Sequence, residues 1–350
     1  MTMTLSENGS DRWGTGLACV KESGPPEEAQ TRFREGSINR HGVSLLELLT
    51  VISIITLLIS LALPAVQSTR ELSRRTSCQN KLRQIGLGIQ GFEAAHRQYP
   101  PDGWGWGWVG DASLAGTMSK LDGPGGWIHH VLPFVEQQAL WESTASREGR
   151  NTAIGQPLEL FACPSRRDAV ASPYTQTTIP LRNANLPTVG SRSDYAINAG
   201  DRVISVGPGP ADIAGLKTYP VPSKVLYSGI SFLRSSISSR DVTDGTSHTL
   251  AVAEKLVIPP HYSTGQSLGD DQTMLIGDDA DIRRWTQFLP LPDSRWIDDI
   301  ERFGSAHQAG VNVVLCDGSV HLIAYEVDLN VWQSLGHRSD GQPDAEQMPW

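Results

Sequence analysis

The sequence predicts an α+β protein: one long N-terminal helix, then a β-rich globular part with long loops. Three observations carry this. Residues 43–66 form an unbroken apolar run. Apolar residues then recur at helical spacing as far as His96. From residue 99 onward, short apolar runs are punctuated by Gly, Pro, Asn and Asp, as strands and turns are. With 34 Gly and 22 Pro among 350 residues the chain suits a loop-rich fold, and with 39% hydrophobic residues it is too apolar for wholesale disorder. Its net charge of −9 disfavours a general nucleic-acid binder, because neutralising phosphates needs a basic surface. The four cysteines lie far apart, with no C-x-x-C and no Cys/His pair at zinc spacing, so no metal ligand set is expected.

The apolar run reads VSLLELLTVISIITLLISLALPAV from Val43 to Val66 and contains one charge, Glu47. As a helix it would be about 36 Å long, enough to span a bilayer. It is longer than the apolar region of a secretory signal, and the following Pro64-Ala65-Val66-Gln67 is a poor cleavage site. Basic residues stand on both sides, Arg40 before and Arg70, Arg74 and Arg75 after, so charge alone leaves the orientation open. Glu47 is the oddity. A carboxylate inside such a span costs about 2.5–3.5 kcal/mol on insertion, so it points to a function unless it reaches back to the headgroups.

Gly42 followed by Val43-Ser44-Leu45-Leu46-Glu47 and the apolar run resembles a type IV prepilin cleavage and methylation motif. The resemblance implies that a prepilin peptidase cuts between Gly42 and Val43, that the Val43 amine is methylated, and that Glu47 pairs with the amine of a neighbouring subunit. Two buried opposite charges would then fix the register between subunits. Val43 departs from the Phe usual there, and Pro64 matches a proline common in such spans. The domains implied are a removed leader over 1–42, a transmembrane half-helix over 43–66, a soluble half-helix over 67–98 and an extracytoplasmic globular part over 99–350. Residues 1–42, with six acidic and five basic side chains, read either as an unusually long leader or as the product of a start upstream of the true one, at Leu17 or Val20.

Further blocks extend the likeness. They are LSRRTSCQNKLRQIGLGIQGFEAAHRQYPP (72–101), GWIHHVLPFVEQ (126–137), FACPS (161–165), SDYAINAG (193–200), DVTDGTSHTLAVAEK (241–255) and FGSAHQAGVNVVLCDGSVHLIA (303–324). In this order they are similar to a large bacterial family of prepilin-like proteins. That family is known for a His, nine residues and then Asp-Gly, and for a C-terminal domain of unknown function. His307, Asp317 and Gly318 fit the spacing, and the likeness covers roughly 40–335.

The soluble half-helix should carry Cys78, Leu82, Ile85, Ile89, Phe92 and His96 on its buried stripe and end near Tyr99-Pro100-Pro101. Gly86, Gly88 and Gly91 each cost about 1 kcal/mol against Ala and suit close approach of a sheet. A short helix is expected at Val131–Glu136 or Ala139–Trp141. Val311–Cys316 and Ser319–Ala324 flank Asp317-Gly318 as a hairpin with a two-residue turn. In that register Cys316 opposes Ser319 and His307 falls opposite Asp328, which separates His307 from Asp317 too widely for a shared metal.

Weaker constellations read as structural. Asp244-Gly245-Thr246-Ser247-His248 is a turn before a strand rather than a triad, since no G-x-S-x-G elbow exists. Asp270, Asp271, Asp278, Asp279 and Asp281 offer the oxygens calcium uses, but no EF-hand spacing accompanies them. They read as a solvated acidic insertion, with no cofactor expected. Trp104, Trp106 and Trp108, alternating with Gly, suit a local core better than a sugar platform. The pilin resemblance implies an oxidising compartment for the soluble domain, where a Cys78–Cys163 disulfide would close an 86-residue loop. In the chain-entropy model that contributes about 4–5 kcal/mol. Cys316 would remain a small buried hydrophobe.

The resemblance implies a pseudopilin-like or minor-pilin-like assembly subunit of a type IV pilus or type II secretion-like system, and no enzyme. Its implied partners are prepilin peptidase, other pilin-like subunits and the inner membrane, with the globular domain in the periplasm. The alternative is a membrane-anchored ligand- or carbohydrate-binding protein that uses the prepilin route only for export.

Overall fold

A computed structural model describes residues 44–114, 122–176, 180–205 and 207–341. The chain divides into two compact units, residues 1–58 and 59–350. Helix α1, Leu45–His96, is the long helix the sequence predicts, and Pro64 lies inside it. Every residue from 44 to 70 is exposed. This half is long and apolar enough to cross a membrane and is consistent with a single-pass anchor.

The second half of α1 changes character. Cys78, Leu82, Ile85, Ile89 and Phe92 are buried at the steps of three and four the sequence predicts, with Gly86 and Gly88 beside them, but His96, expected on the same stripe, is exposed where the helix ends. Burying each of Leu82, Ile85, Ile89 and Phe92 contributes about 1.5–3 kcal/mol, which outweighs the helix cost of the glycines. Gly86 is needed for contact: a Cβ there would sit 2.7 Å from Val314 Cγ2. Gly88 and Gly91 make room not for the sheet but for Val135 and Phe134. The helix stops where Arg97 turns left-handed (φ 60°), just before Tyr99-Pro100-Pro101.

Nine strands follow among the described residues: β1 (Ser172–Pro173), β2 (Val189–Gly190), β3 (Tyr195–Asn198), β4 (Leu250–Glu254), β5 (Arg283–Arg284), β6 (Leu291–Pro292), β7 (Gly304–Ser305), β8 (Val311–Leu315) and β9 (Val320–Ile323). The central sheet runs β5-β3-β4-β8-β9 and is antiparallel except for the β3–β5 edge. Helices α2 (Trp127–Val131), α3 (Gln138–Ser143) and α4 (Arg147–Ala153) precede it, and α5 (Leu329–Gly336) follows. Of the two places where the sequence offers a short helix, 139–141 lies in α3, while 132–135 forms a 3-10 turn directly after α2. The sequence reading did not place α4 or α5, although Asp328 caps α5 through Asn330 and Val331 N–H groups.

Strand alternation divides the core. Val314 joins Leu82, Ile85 and Ile89 of α1, while Val311, Val313 and Leu315 join Trp332 and Leu335 of α5. Asn312, on the α1 side, accepts a hydrogen bond from Gln79 Nε2 (3.1 Å).

The predicted hairpin forms one residue out of the expected register. Val311 pairs Ile323 and Val314 pairs Val320, so Leu315 faces Ser319 and Cys316-Asp317-Gly318 is a three-residue loop. Gly318 takes φ +83°, and a glycine at this left-handed position closes three-residue hairpins. Cys316 therefore does not oppose Ser319. Nor does His307 face Asp328, which caps α5 instead.

Candidate functional site

Among the described residues, two places hold candidate functional chemistry: the start of α1 and a buried cysteine cluster. The first is the start of α1. Ser44 N–H donates to Glu47 Oε2 (2.9 Å), and Glu47 N–H donates to Ser44 Oγ (3.4 Å). This reciprocal pair is a capping box, legible as Ser-x-x-Glu but missed in the sequence reading. Among the described residues Glu47 has no cationic partner. Gly42 and Val43, and the leader with them, lie outside the described residues.

The second is a buried cluster that the fold assembles from four remote segments. Cys78 comes from the α1 stripe. Cys163 follows a 3-10 turn at Glu159–Phe161, and its N–H donates to Asp194 Oδ2 (2.6 Å). Glu254 ends β4. His307 lies between β7 and β8, where its N–H donates to Ser305 Oγ and its carbonyl accepts from Tyr325 OH (2.6 Å). Cys78 Sγ and Cys163 Sγ, both free thiols, are 2.7 Å apart. His307 Nε2 lies 3.6 Å from Cys163 Sγ and 3.3 Å from Glu254 Oε1. The four donor atoms all lie within 4.8 Å of one another.

Each polar member is held from behind. His307 Nδ1 is 2.6 Å from Glu71 Oε1, and Glu71 also accepts from Ser165 Oγ and Arg74 Nε at 3.1 Å. Glu254 Oε2 accepts from Asn312 N–H (2.8 Å) and Nδ2 (3.0 Å). Burial alone would lower the His307 pKa, but the Cys163 and Glu254 contacts more than offset it and raise it to about 10. Burial likewise works to raise Glu71, yet its hydrogen bonds to His307, Arg74 and Ser165 leave it lowered. The contact with Cys78, then burial, push the Cys163 thiol up.

Beside this cluster runs an ionic network. Arg166 pairs with Asp194 (3.1 Å) and Asp293 (2.9 Å), and Arg167 pairs with Asp194 (2.6 Å) and Asp270. Lys255 Nζ reaches Asp270 at 2.9 Å. Asp278 pairs with Arg283 at 2.6 Å. The acidic stretch is thus not the solvated loop expected: Asp270, Asp278 and Asp281 are buried. Buried carboxylates need compensation, and Arg167, Lys255 and Arg283 supply it for Asp270 and Asp278.

The remaining candidates are kept apart. Asp317 lies in the hairpin loop, where its Oδ1 accepts from Ser319 N–H and Oγ, while His307 sits in the cysteine cluster. At Asp244–His248 the ring Nδ1 of His248 meets the Asp244 carbonyl (3.2 Å), a turn before β4 and not a triad geometry. Trp104 and Trp108 are buried edge-to-face against each other with Leu216 nearby, so they fill a small core. Cys316 is buried.

No curated protein and no solved structure matches this chain. A family model described as "Protein of unknown function (DUF1559)" matches residues 67–330, which take in the helix stripe, the cysteine cluster and the hairpin. Since that match spans well over half of the chain, the protein belongs to the DUF1559 family.

Proposed function

We propose that this protein is a pilin-like, membrane-anchored assembly subunit of a type IV pilus or type II secretion-like system, and not an enzyme. The observation that carries the reading is the first half of α1. It is exposed on every side, and the sole charge of its apolar run, Glu47, has no cation among the described residues to neutralise it. A carboxylate so placed in lipid costs several kcal/mol unless a partner supplies a positive charge. The Val43 amine of a second subunit, freed by prepilin peptidase after Gly42, meets that need. The anchor would lie in the inner membrane with the DUF1559 domain in the periplasm, displayed on the assembly or engaging its cargo.

The test is Glu47→Gln. Glutamine keeps the capping acceptor at this helix position but removes the charge. The variant is expected to reach the membrane at normal levels and to lose cross-linkable assemblies of the chain. Assemblies as abundant as in the parent protein would contradict the reading.

A further inference from the structure

We infer that Cys78, Cys163, Glu254 and His307 form a closed binding site for one tetrahedral transition-metal ion of the zinc class, which pins α1 to the sheet. The inference is independent of the membrane anchor, since all four residues belong to the globular unit.

The donor set is the first argument. Two thiolates, one imidazole and one carboxylate, all buried, suit zinc and exclude magnesium or calcium, which prefer oxygen alone. The second argument is an unmet need. Glu254 is fully buried, and its Oε1 has no hydrogen-bond partner although Asn312 satisfies Oε2. His307 Nε2 stands 3.3 Å from it, an ion pair when the ring is protonated. A metal ion at the centre would take that oxygen as a ligand.

Third, the outer partners are those of a metal site. Glu71 holds His307 Nδ1, which turns Nε2 inward, the carboxylate–histidine–metal arrangement. Asn312 fixes the Glu254 carboxylate in the same way. Fourth, the dimensions fit. Bonds of about 2.0–2.3 Å in a tetrahedron place donors about 3.3–3.8 Å apart. The edges from His307 Nε2 to Cys163 (3.6 Å) and to Glu254 (3.3 Å) already have that length. The sulfurs, at 2.7 Å, would open by about 1 Å on loading. A cleft of about 300 Å³ lined by Ser68, Glu71, Arg75, His307 and Gln308 gives an approach from solvent. With four protein ligands no position remains for substrate, so the site is structural.

The experiment uses the full-length chain, extracted in detergent from its native membranes without chelator. Metal content by plasma mass spectrometry is expected at one zinc per chain. Exchange for Co²⁺ should give thiolate-to-cobalt charge-transfer bands and the visible bands of tetrahedral cobalt. Glu71→Gln, which leaves the four ligands intact, should weaken metal affinity about 10–100-fold. Cys316→Ser should keep full occupancy. A metal-free protein whose Cys78 and Cys163 are recovered as one disulfide-linked peptide would overturn the inference. So would a reduced, folded protein that gives no cobalt bands, or equal affinity in Glu71→Gln.

Discussion

Asp270, buried in the globular unit, and Glu47, inside an apolar run, are both carboxylates, but among the described residues only Asp270 is neutralised by cations of the same chain. Arg167 and Lys255 reach it, and the network continues through Asp194 to Arg166. Glu47 meets only Ser44 among the described residues. The Asp270 charge is compensated within one copy, whereas the apolar half of α1 carries a charge with no cation beside it among the described residues.

Removing the two charges should therefore have opposite consequences. Asp270→Asn leaves Arg167 and Lys255 with too little compensation and should cost about 3–5 kcal/mol in chemical denaturation followed by tryptophan fluorescence. Glu47→Gln should change the same midpoint by less than about 0.5 kcal/mol. Acid sharpens the contrast. Burial raises the Asp270 pKa, but Arg167 and Lys255 outweigh it and hold the group below its unfolded value of about 3.9. Its stabilisation is then complete at neutral pH and is lost as pH falls below about 4 towards the folded value. The Asp270→Asn variant should show a shallower loss of stability over that acid range than the parent.

The two halves of α1 should differ nearly as much. Leu82→Ala opens a cavity in the core and should cost about 2–5 kcal/mol, while Leu58→Ala in the exposed half should cost less than about 0.5 kcal/mol. Gly86→Ala should cost about 1–3 kcal/mol, because the new methyl meets Val314 Cγ2 at 2.7 Å and the helix must move off β8. The most local effect belongs to the capping box. Ser44→Ala should cost about 1 kcal/mol, confined to fraying of the first turn, visible as faster amide exchange there and nowhere in the sheet.

What the sequence revealed follows from the range of the interactions. The α1 stripe was legible because helical periodicity is local, and Cys78 through Phe92 are buried as spaced. The hairpin was legible from Asp317-Gly318, but its register was not. A left-handed Gly serves two-residue and three-residue loops alike, and the pairing partner decides between them. The capping box was written in Ser44 and Glu47 and was overlooked because Glu47 already had a role as an expensive charge. The cysteine cluster was beyond reach of spacing rules, since Cys78, Cys163, Glu254 and His307 come from four elements. Only the sheet and the helix above it bring them together. The burial of the acidic stretch was hidden for the same reason: its cations, Arg167 and Lys255, lie outside it in sequence.

The claim that the Glu47 charge is met by a processed subunit amine is tested most directly at the N-terminus itself. Protein isolated from its native membranes should yield, by mass spectrometry, an N-terminal peptide beginning Val43-Ser44-Leu45 with a methylated amine. An intact, unmethylated leader, or a first residue beyond Val66, would contradict it.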